Sequence, residues 1–296
     1  MNINHYLDNI DIIYWINLDR SIDRKNKMEN ILKQINIQNT RITAVDGSKI
    51  SDSELYNNYN NKSYEFGRSK IEYACLLSHL NTIKEFSNSN YELALILEDD
   101  ISLEYVKYWD KKISEITNEA PKDWEIIMLN YVAKKKLNDI YTLNNNGIIS
   151  CCGSYLINKA GAKKLMNNLY IDNKFILLAN AIHTSDNYIY SNLITYTYKY
   201  PYFTYPYEND STIHNSHIAF HNYTKKLAFE SWINKYKSQN VNIINDNKDN
   251  NKHTKNIIDI FFDIIYNEKT KKIIILCLFI ILLYYISKKY NLLNKK

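Results

Sequence analysis

With 296 residues, 45% hydrophobic and 23% charged, the chain is long enough for one large domain or two small ones with a sizeable core, and too apolar for bulk disorder. The net charge of +5 resides in the tail: Glu268 to Lys296 holds seven lysines and one glutamate, leaving the remainder at −1, without the basic run that a nucleic-acid groove needs. Four cysteines (Cys75, Cys151, Cys152 and Cys277) contain no C-x-x-C pair, which argues against a disulfide scaffold or a cysteine metal clip and for reduced, buried thiols.

The opening "MNINHYLDNIDIIYW" has neither a basic leader nor an adequate apolar core, so no cleavable signal peptide is predicted. "DIIYWINLD" reads as a first, buried, β-branched strand, and "SIDRKNKMENILKQI" as a helix with Met28, Ile31, Leu32 and Ile35 at helical spacing. A short strand "RITAV" stops at the turn pair Asp46-Gly47. "SKIEYACLLSHLNTIKEF" is a helix striped by Ile71, Ala74, Cys75 and Ser78, and "ELALIL" and "WEIIMLN" are the third and fourth strands. "GIISCCGSYLI" is the fifth, followed by the helix "KAGAKKLMNNL". This alternation predicts an α/β domain with a mainly parallel central sheet, over residues 1–235. The many tyrosines (27) accompany over-used Asn, Lys and Ile, all with A/T-rich codons, and are given little functional weight.

Residues 236–255 read as a polar Asn/Lys-rich linker and 256–272 as a juxtamembrane helix. "IIILCLFIILLYYIS", 273–287, is apolar on every face and flanked by lysine pairs. It covers about 22 Å as a helix against a hydrocarbon core of about 30 Å, a shortfall that snorkelling lysines can absorb. The expectation is a C-terminal transmembrane helix, a single-pass anchor with the body on the cytosolic side.

In open α/β sheets, ligands bind beyond the carboxyl ends of the strands. "LALILEDDIS" places Glu98, Asp99 and Asp100 at such an end, and Asp19 and Arg20 stand at another. Adjacent carboxylates repel, so they are solvated, paired, or bound to a cation. A solvated turn or helix cap is one reading. The other is a hard cation, Mn²⁺ or Mg²⁺, held by carboxylate oxygens together with a substrate diphosphate. Neither a G-x-G-x-x-G nor a Walker lysine motif is present.

"INLDRSIDR", "ITAVDG", "EYACLLSHLNTIKEF", "ALILEDDI" and "GSYLINKAGAKKLM", in that order, resemble glycosyltransferase family 25. The resemblance runs from about Ile12 to Ile213. It implies a GT-A-like nucleotide-sugar-binding fold and a metal-dependent inverting glycosyltransferase. Such an enzyme moves a sugar, with galactose favoured, from a nucleotide diphosphate donor such as a UDP-sugar to a glycan, lipid-linked or hydroxylysine-type acceptor. On this resemblance Asp100 is the metal ligand, with Glu98 assisting through water or the donor ribose and Asp99 completing the motif. Asn17, Asp19 and Arg20 fall in the loop that grips the nucleotide, with Arg20 or Arg24 reaching phosphate or else forming a surface ion pair with Asp19 or Asp23. Ser78 and His79 match the family's "SH" pair. His79 either donates to the donor sugar or phosphate, or is a satisfied core histidine, and Cys75 is a packing residue.

Asp186 is the candidate base that takes the acceptor hydroxyl proton; the competing role is an N-cap of the helix starting at Asn187. His214, His217 and His221 are weaker candidates for the metal or diphosphate shell. Ala74 replaces the glycine that the family often has before its motif cysteine, and the region after Pro201 matches only loosely, which leaves the acceptor open. An alternative keeps the fold without activity, as a membrane-anchored binding or structural protein.

Overall fold

A computed structural model of the protein describes residues 2–53, 66–133, 135–144, 149–177, 184–205 and 218–246. In chain order these form α1 (Ile3–Tyr6), β1 (Ile12–Asn17), α2 (Ile22–Leu32), β2 (Asn39–Thr43), α3 (Phe66–Asn88), β3 (Leu93–Glu98), α4 (Ile113–Glu119), β4 (Ile126–Met128), β5 (Val132–Ala133), β6 (Tyr141–Leu143), β7 (Ile149–Ser150), β8 (Ser154–Asn158), α5 (Lys159–Leu169), β9 (Tyr170–Ile171), β10 (Lys174–Phe175), α6 (Ser185–Asn192), β11 (Thr195–Tyr198) and α7 (Ile218–Asp246). Residues Met1–Ser238 make up one compact unit.

Seven strands form the central sheet in the order β2-β1-β3-β8-β4-β11-β6. Every residue of β1 is buried, as in a strand covered on both faces. Its alternate residues feed two cores: Ile12, Tyr14 and Ile16 pack with Leu76, Leu80, Ile83 and Phe86 of α3 on one face, while Ile13 and Trp15 join Met28 and Leu32 of α2 and Ile113 and Ile116 of α4 on the other. Each such aliphatic side chain, fully withdrawn from water, contributes about 1.5–3 kcal/mol.

The sheet is mixed rather than mainly parallel. β1 runs parallel to β2 and β3, and β11 parallel to β4, but β8 is antiparallel to both β3 and β4, and β6 to β11. The reason lies in "GIISCCGSYLI", which is two strands rather than one. Cys151 adopts φ 103°, a backbone state that no strand continues through, and separates β7 from β8. β8 then inserts between β3 and β4 in the reverse direction. Asn158 caps α5 by accepting from the Gly161 N–H at 2.8 Å. A Cβ on Gly161 would come within 2.8 Å of the Glu125 Cβ, so only glycine lets this helix approach so closely.

The helix stripes also need adjustment. On α3 the buried residues are Tyr73, Ala74, Leu76, Ser78, His79, Leu80, Thr82, Ile83 and Phe86, while Ile71 is 40% exposed. On α2, Met28 and Leu32 are buried as expected, and buried Ile35 follows the helix end.

The expected C-terminal transmembrane helix, and with it the single-pass anchor, the membrane partner and the placement of the body on the cytosolic side, is not supported. Among the described residues no helix is long and apolar enough to cross a membrane. The stretches 256–272 and 273–287 lie outside the described residues, as does the linker from residue 247 onward.

Candidate active site

Because β1 and β3 are parallel neighbours with Ile16 opposite Glu98, their carboxyl ends bring Asn17 against the acidic run. Asn17 Nδ2 donates to Asp99 Oδ2 at 2.6 Å. Arg24, on the first turns of α2, donates to Asp99 Oδ1 at 2.8 Å and pairs with Asp100 Oδ2 at 3.6 Å. Asp99 is 9% exposed. Burial raises its pKa, opposed by the Asn17 hydrogen bond and by Arg24. Arg24 is itself held more firmly protonated: burial opposes its charge, but Asp100 and Asp99 outweigh it.

Asp100 differs from Asp99. Its only ion-pair contact among the described residues is the longer one to Arg24, and 31% of its side chain faces solvent. Burial of the carboxyl first, and then the neighbouring Glu98 charge, push it up to about 7 against a pull from Arg24. A carboxyl in that condition gains from a cation.

Arg41, from β2, reaches across the end of β1. It donates from Nε and NH2 to Asn17 Oδ1 at 3.0 and 2.8 Å and pairs with Asp19 at 2.6 Å. Arg20 instead pairs with Asp46, whose carboxyl is driven well below the usual range chiefly by that bond.

Behind the acidic lip, His79 is 1% exposed and bridges two groups. Its Nε2 lies 3.1 Å from Glu98 Oε1 and its Nδ1 lies 3.1 Å from the Tyr155 hydroxyl on β8. Cys75, one turn earlier on α3, contacts the Ser185 hydroxyl at 3.4 Å. Ser78 donates to the Ala74 carbonyl and accepts from the Val45 N–H at 2.9 Å, tying α3 to the loop after β2.

Asp186 stands in the first turn of α6, after Thr184 at the N-cap. Its Oδ2 accepts from the Cys151 N–H and its Oδ1 from the Asn187 N–H, both at 2.8 Å. The Cys151 thiol is pushed up by burial and then by Glu98, Asp186 and Asp100, so all three acids act on one point. The N–H that orients Asp186 belongs to the residue with φ 103°, a strained state of the kind that clusters at functional sites.

Direct contacts thus join Asn17 and Asp99, Asp99 and Asp100 through Arg24, Asn17 and Asp19 through Arg41, and Glu98 and His79, while Asp186 is held by the Cys151 and Asn187 N–H groups. Arg20 does not face the acidic run; it is paired with Asp46. Ser78 is a strut between elements. Asp186 is not the N-cap residue. His214 and His217 lie outside the described residues, as does the side chain of His221. Sequence reasoning missed Arg41, Tyr155 and Cys151. Arg41 follows only from strand register, and Tyr155 was hidden by the discount placed on tyrosine.

The mixed α/β sheet, with acids and arginines gathered at the carboxyl ends of adjacent parallel strands, is of the broad Rossmann-like kind. A model of glycosyltransferase family 25 (LPS biosynthesis protein) matches residues 10–174, more than half of the chain. The chain belongs to that family. It is similar to a glycosyltransferase 25 family member of Aedes aegypti, 30% identical over 171 residues, covering 52% of this chain and 27% of that protein. It is also similar to procollagen galactosyltransferase 2 of Mus musculus, 30% identical over 135 residues, with 43% and 21% covered, and to procollagen galactosyltransferase 1-B of Xenopus laevis, 26% identical over 176 residues, with 53% and 28% covered. The chain spans about a quarter of the length of these relatives. Asp186 lies beyond the residues that the family model matches.

Proposed function

We propose that the protein is a metal-dependent inverting glycosyltransferase that takes a sugar from a nucleotide diphosphate donor and passes it to a hydroxyl acceptor. The single observation that carries the reading is the placement of Asp100: a partly exposed carboxyl beside Glu98 beyond the carboxyl end of β3, whose ion-pair contact among the described residues is the 3.6 Å one to Arg24. Galactose as the sugar rests on the names of the procollagen galactosyltransferase relatives; a glycan, lipid-linked or hydroxylysine-type acceptor is our extension of the family resemblance.

The donor set suits a hard cation, because carboxylate oxygens of Asp100 and Glu98 are the ligands that Mn²⁺ and Mg²⁺ prefer alongside phosphate. When bound, such a cation supplies charge neutralisation for the departing diphosphate, worth several kcal/mol. Arg24 keeps Asp99 and Asp100 in place from the α2 side, and Arg41 fixes Asn17 and Asp19 at the end of β1, where the nucleotide is gripped. His79 orients Glu98 through Nε2.

Asp186 takes the proton. Two N–H donors fix its orientation, and each oxygen retains a lone pair for an incoming hydroxyl. The acceptor oxygen attacks the anomeric carbon from the side opposite the diphosphate. The new C–O bond forms as the old one breaks, the hydroxyl proton passes to Asp186, and the configuration inverts.

Incubating the full chain with a panel of labelled nucleotide sugars and acceptors, in Mn²⁺ or in EDTA, tests the reading. Metal-dependent sugar release is the expected result. Tight donor binding without turnover would instead favour an inactive binding protein of the same fold, and no donor binding would overturn both.

A further inference from the structure

Behind the Asp99–Asp100 lip lies a second set of donors with different chemistry. Cys75 and His79 are four residues apart on α3 and so share a helix face. Glu98 ends the strand beside them. The Cys75 Sγ, a His79 ring nitrogen and a Glu98 oxygen all lie within 4.8 Å of one another, and His79 Nε2 is 3.1 Å from Glu98 Oε1. We propose that Cys75, His79 and Glu98 form a site for a thiophilic divalent cation, Zn²⁺, distinct in chemistry from the all-oxygen site at Asp100.

Three arguments carry this assignment. The first is ligand type: one thiolate, one imidazole and one carboxylate suit Zn²⁺, whereas Mn²⁺ and Mg²⁺ avoid sulfur. The second is spacing. Zinc ligands at about 2.0 Å for nitrogen or oxygen and about 2.3 Å for sulfur stand about 3.3–3.5 Å apart in a tetrahedron. The His79–Glu98 pair already approximates that edge, and the Cys75 Sγ, now in contact with the Ser185 hydroxyl, lies within 4.8 Å of both and must move inward to complete the set. The third is support. Tyr155 engages His79 Nδ1, so that on cation binding Nδ1–H can donate to Tyr155, the outer contact that zinc-bound histidines characteristically have, while Nε2, the donor to Glu98 in the cation-free protein, gives up its proton and turns its lone pair to the cation.

Glu98 is 30% exposed while His79 is 1% exposed, which gives the cation an approach from solvent to a buried imidazole. Binding releases the Cys75 thiol proton to water, moves none onto the protein, and leaves a fourth coordination position for water or ligand. The assignment does not rest on sugar transfer. It does make Zn²⁺ a competitor for Glu98, which the transfer reading assigns to the donor side.

Co²⁺ added to the metal-free full chain tests the site, because a thiolate ligand gives an intense near-ultraviolet charge-transfer band and tetrahedral coordination gives strong visible absorption. Both are expected in the unmodified chain, and Zn²⁺ is expected to bleach them. Cys75→Ser should abolish the charge-transfer band while its circular dichroism matches the parent. Asp100→Asn should retain the band even as it loses sugar transfer, which separates this site from the proposed activity. Absence of the band in the unmodified chain, its persistence in Cys75→Ser, or its loss in Asp100→Asn overturns the assignment.

Discussion

The two ends of β3 each bury charge, and they treat it in opposite ways. At the amino end Lys159, 6% exposed, donates from Nζ to the carbonyls of Phe86 and Ser89 at 2.6 and 2.8 Å and to the Ser89 hydroxyl at 3.2 Å. Three hydrogen bonds use the ammonium donors at the end of α3, where the Phe86 carbonyl also accepts from the Ser89 N–H and hydroxyl, and the charge lies 4.4 Å over the Phe86 ring. At the carboxyl end three acids crowd together; Asp99 is satisfied by Asn17 and Arg24, while Asp100 is pushed up to about 7 and Glu98 turns to His79. A buried charge that serves the fold is completed by the chain itself. At the carboxyl end Asp100 has only the longer ion-pair contact to Arg24 among the described residues, which fits the cation role proposed for it.

Asp100→Asn should break this contrast most severely. Removing the ligand charge is expected to lower sugar transfer by roughly 10²-fold or more, the equivalent of several kcal/mol, with an unchanged circular dichroism spectrum. Lys159→Met works at the other end. It should lower stability by about 2 kcal/mol by removing the Lys159 hydrogen bonds to the Phe86 and Ser89 carbonyls, as read from a denaturant midpoint, and leave transfer intact.

The pH dependence of stability sharpens the contrast further. The folded-state value of Asp100 lies above its ordinary 3.8, so between there and about 7 the folded chain holds a proton that the unfolded chain has lost. That contribution is complete at acid pH and disappears as pH rises through about 7. In EDTA, the melting temperature of the parent should therefore fall over that window relative to Asp100→Asn, and Mn²⁺ should restore it on the alkaline side. The smallest effect concerns Cys151. With φ 103° the usual preference reverses, and Cys151→Gly should be more stable than Cys151→Ala by about 1 kcal/mol in paired thermal melts.

How much of this was legible beforehand follows from the kind of signal each feature leaves. β1 and β3 announce themselves as unbroken apolar runs, and Glu98, Asp99 and Asp100 as charge placed where such a run ends. The direction of β8 was not legible, because it is expressed in long-range pairing with β3 and β4, and the break before it falls at a positive φ of Cys151, of which a cysteine gives no warning in the way a glycine does. The partner of Arg20 was read locally, as Asp19 or Asp23, whereas the fold supplies Asp46 from the loop after β2. Arg41 came to Asn17 through parallel register, which no short motif encodes. β11, "TYTY", passed as part of a tyrosine bias although three of its four residues, Thr195, Thr197 and Tyr198, are buried and the strand pairs with both β4 and β6. The C-terminal apolar run illustrates the reverse case, a strong sequence pattern for which the described helices offer no support.

The most direct measurement is a titration of the full chain with Mn²⁺ followed by electron paramagnetic resonance, with and without a uridine diphosphate, comparing the parent with Asp100→Asn. The free-ion signal should vanish on binding to the parent, more so with the diphosphate present, and persist in the variant. Equal binding by both proteins would mean that the end of β3 does not hold the cation, and the assignment of Asp100 would fail.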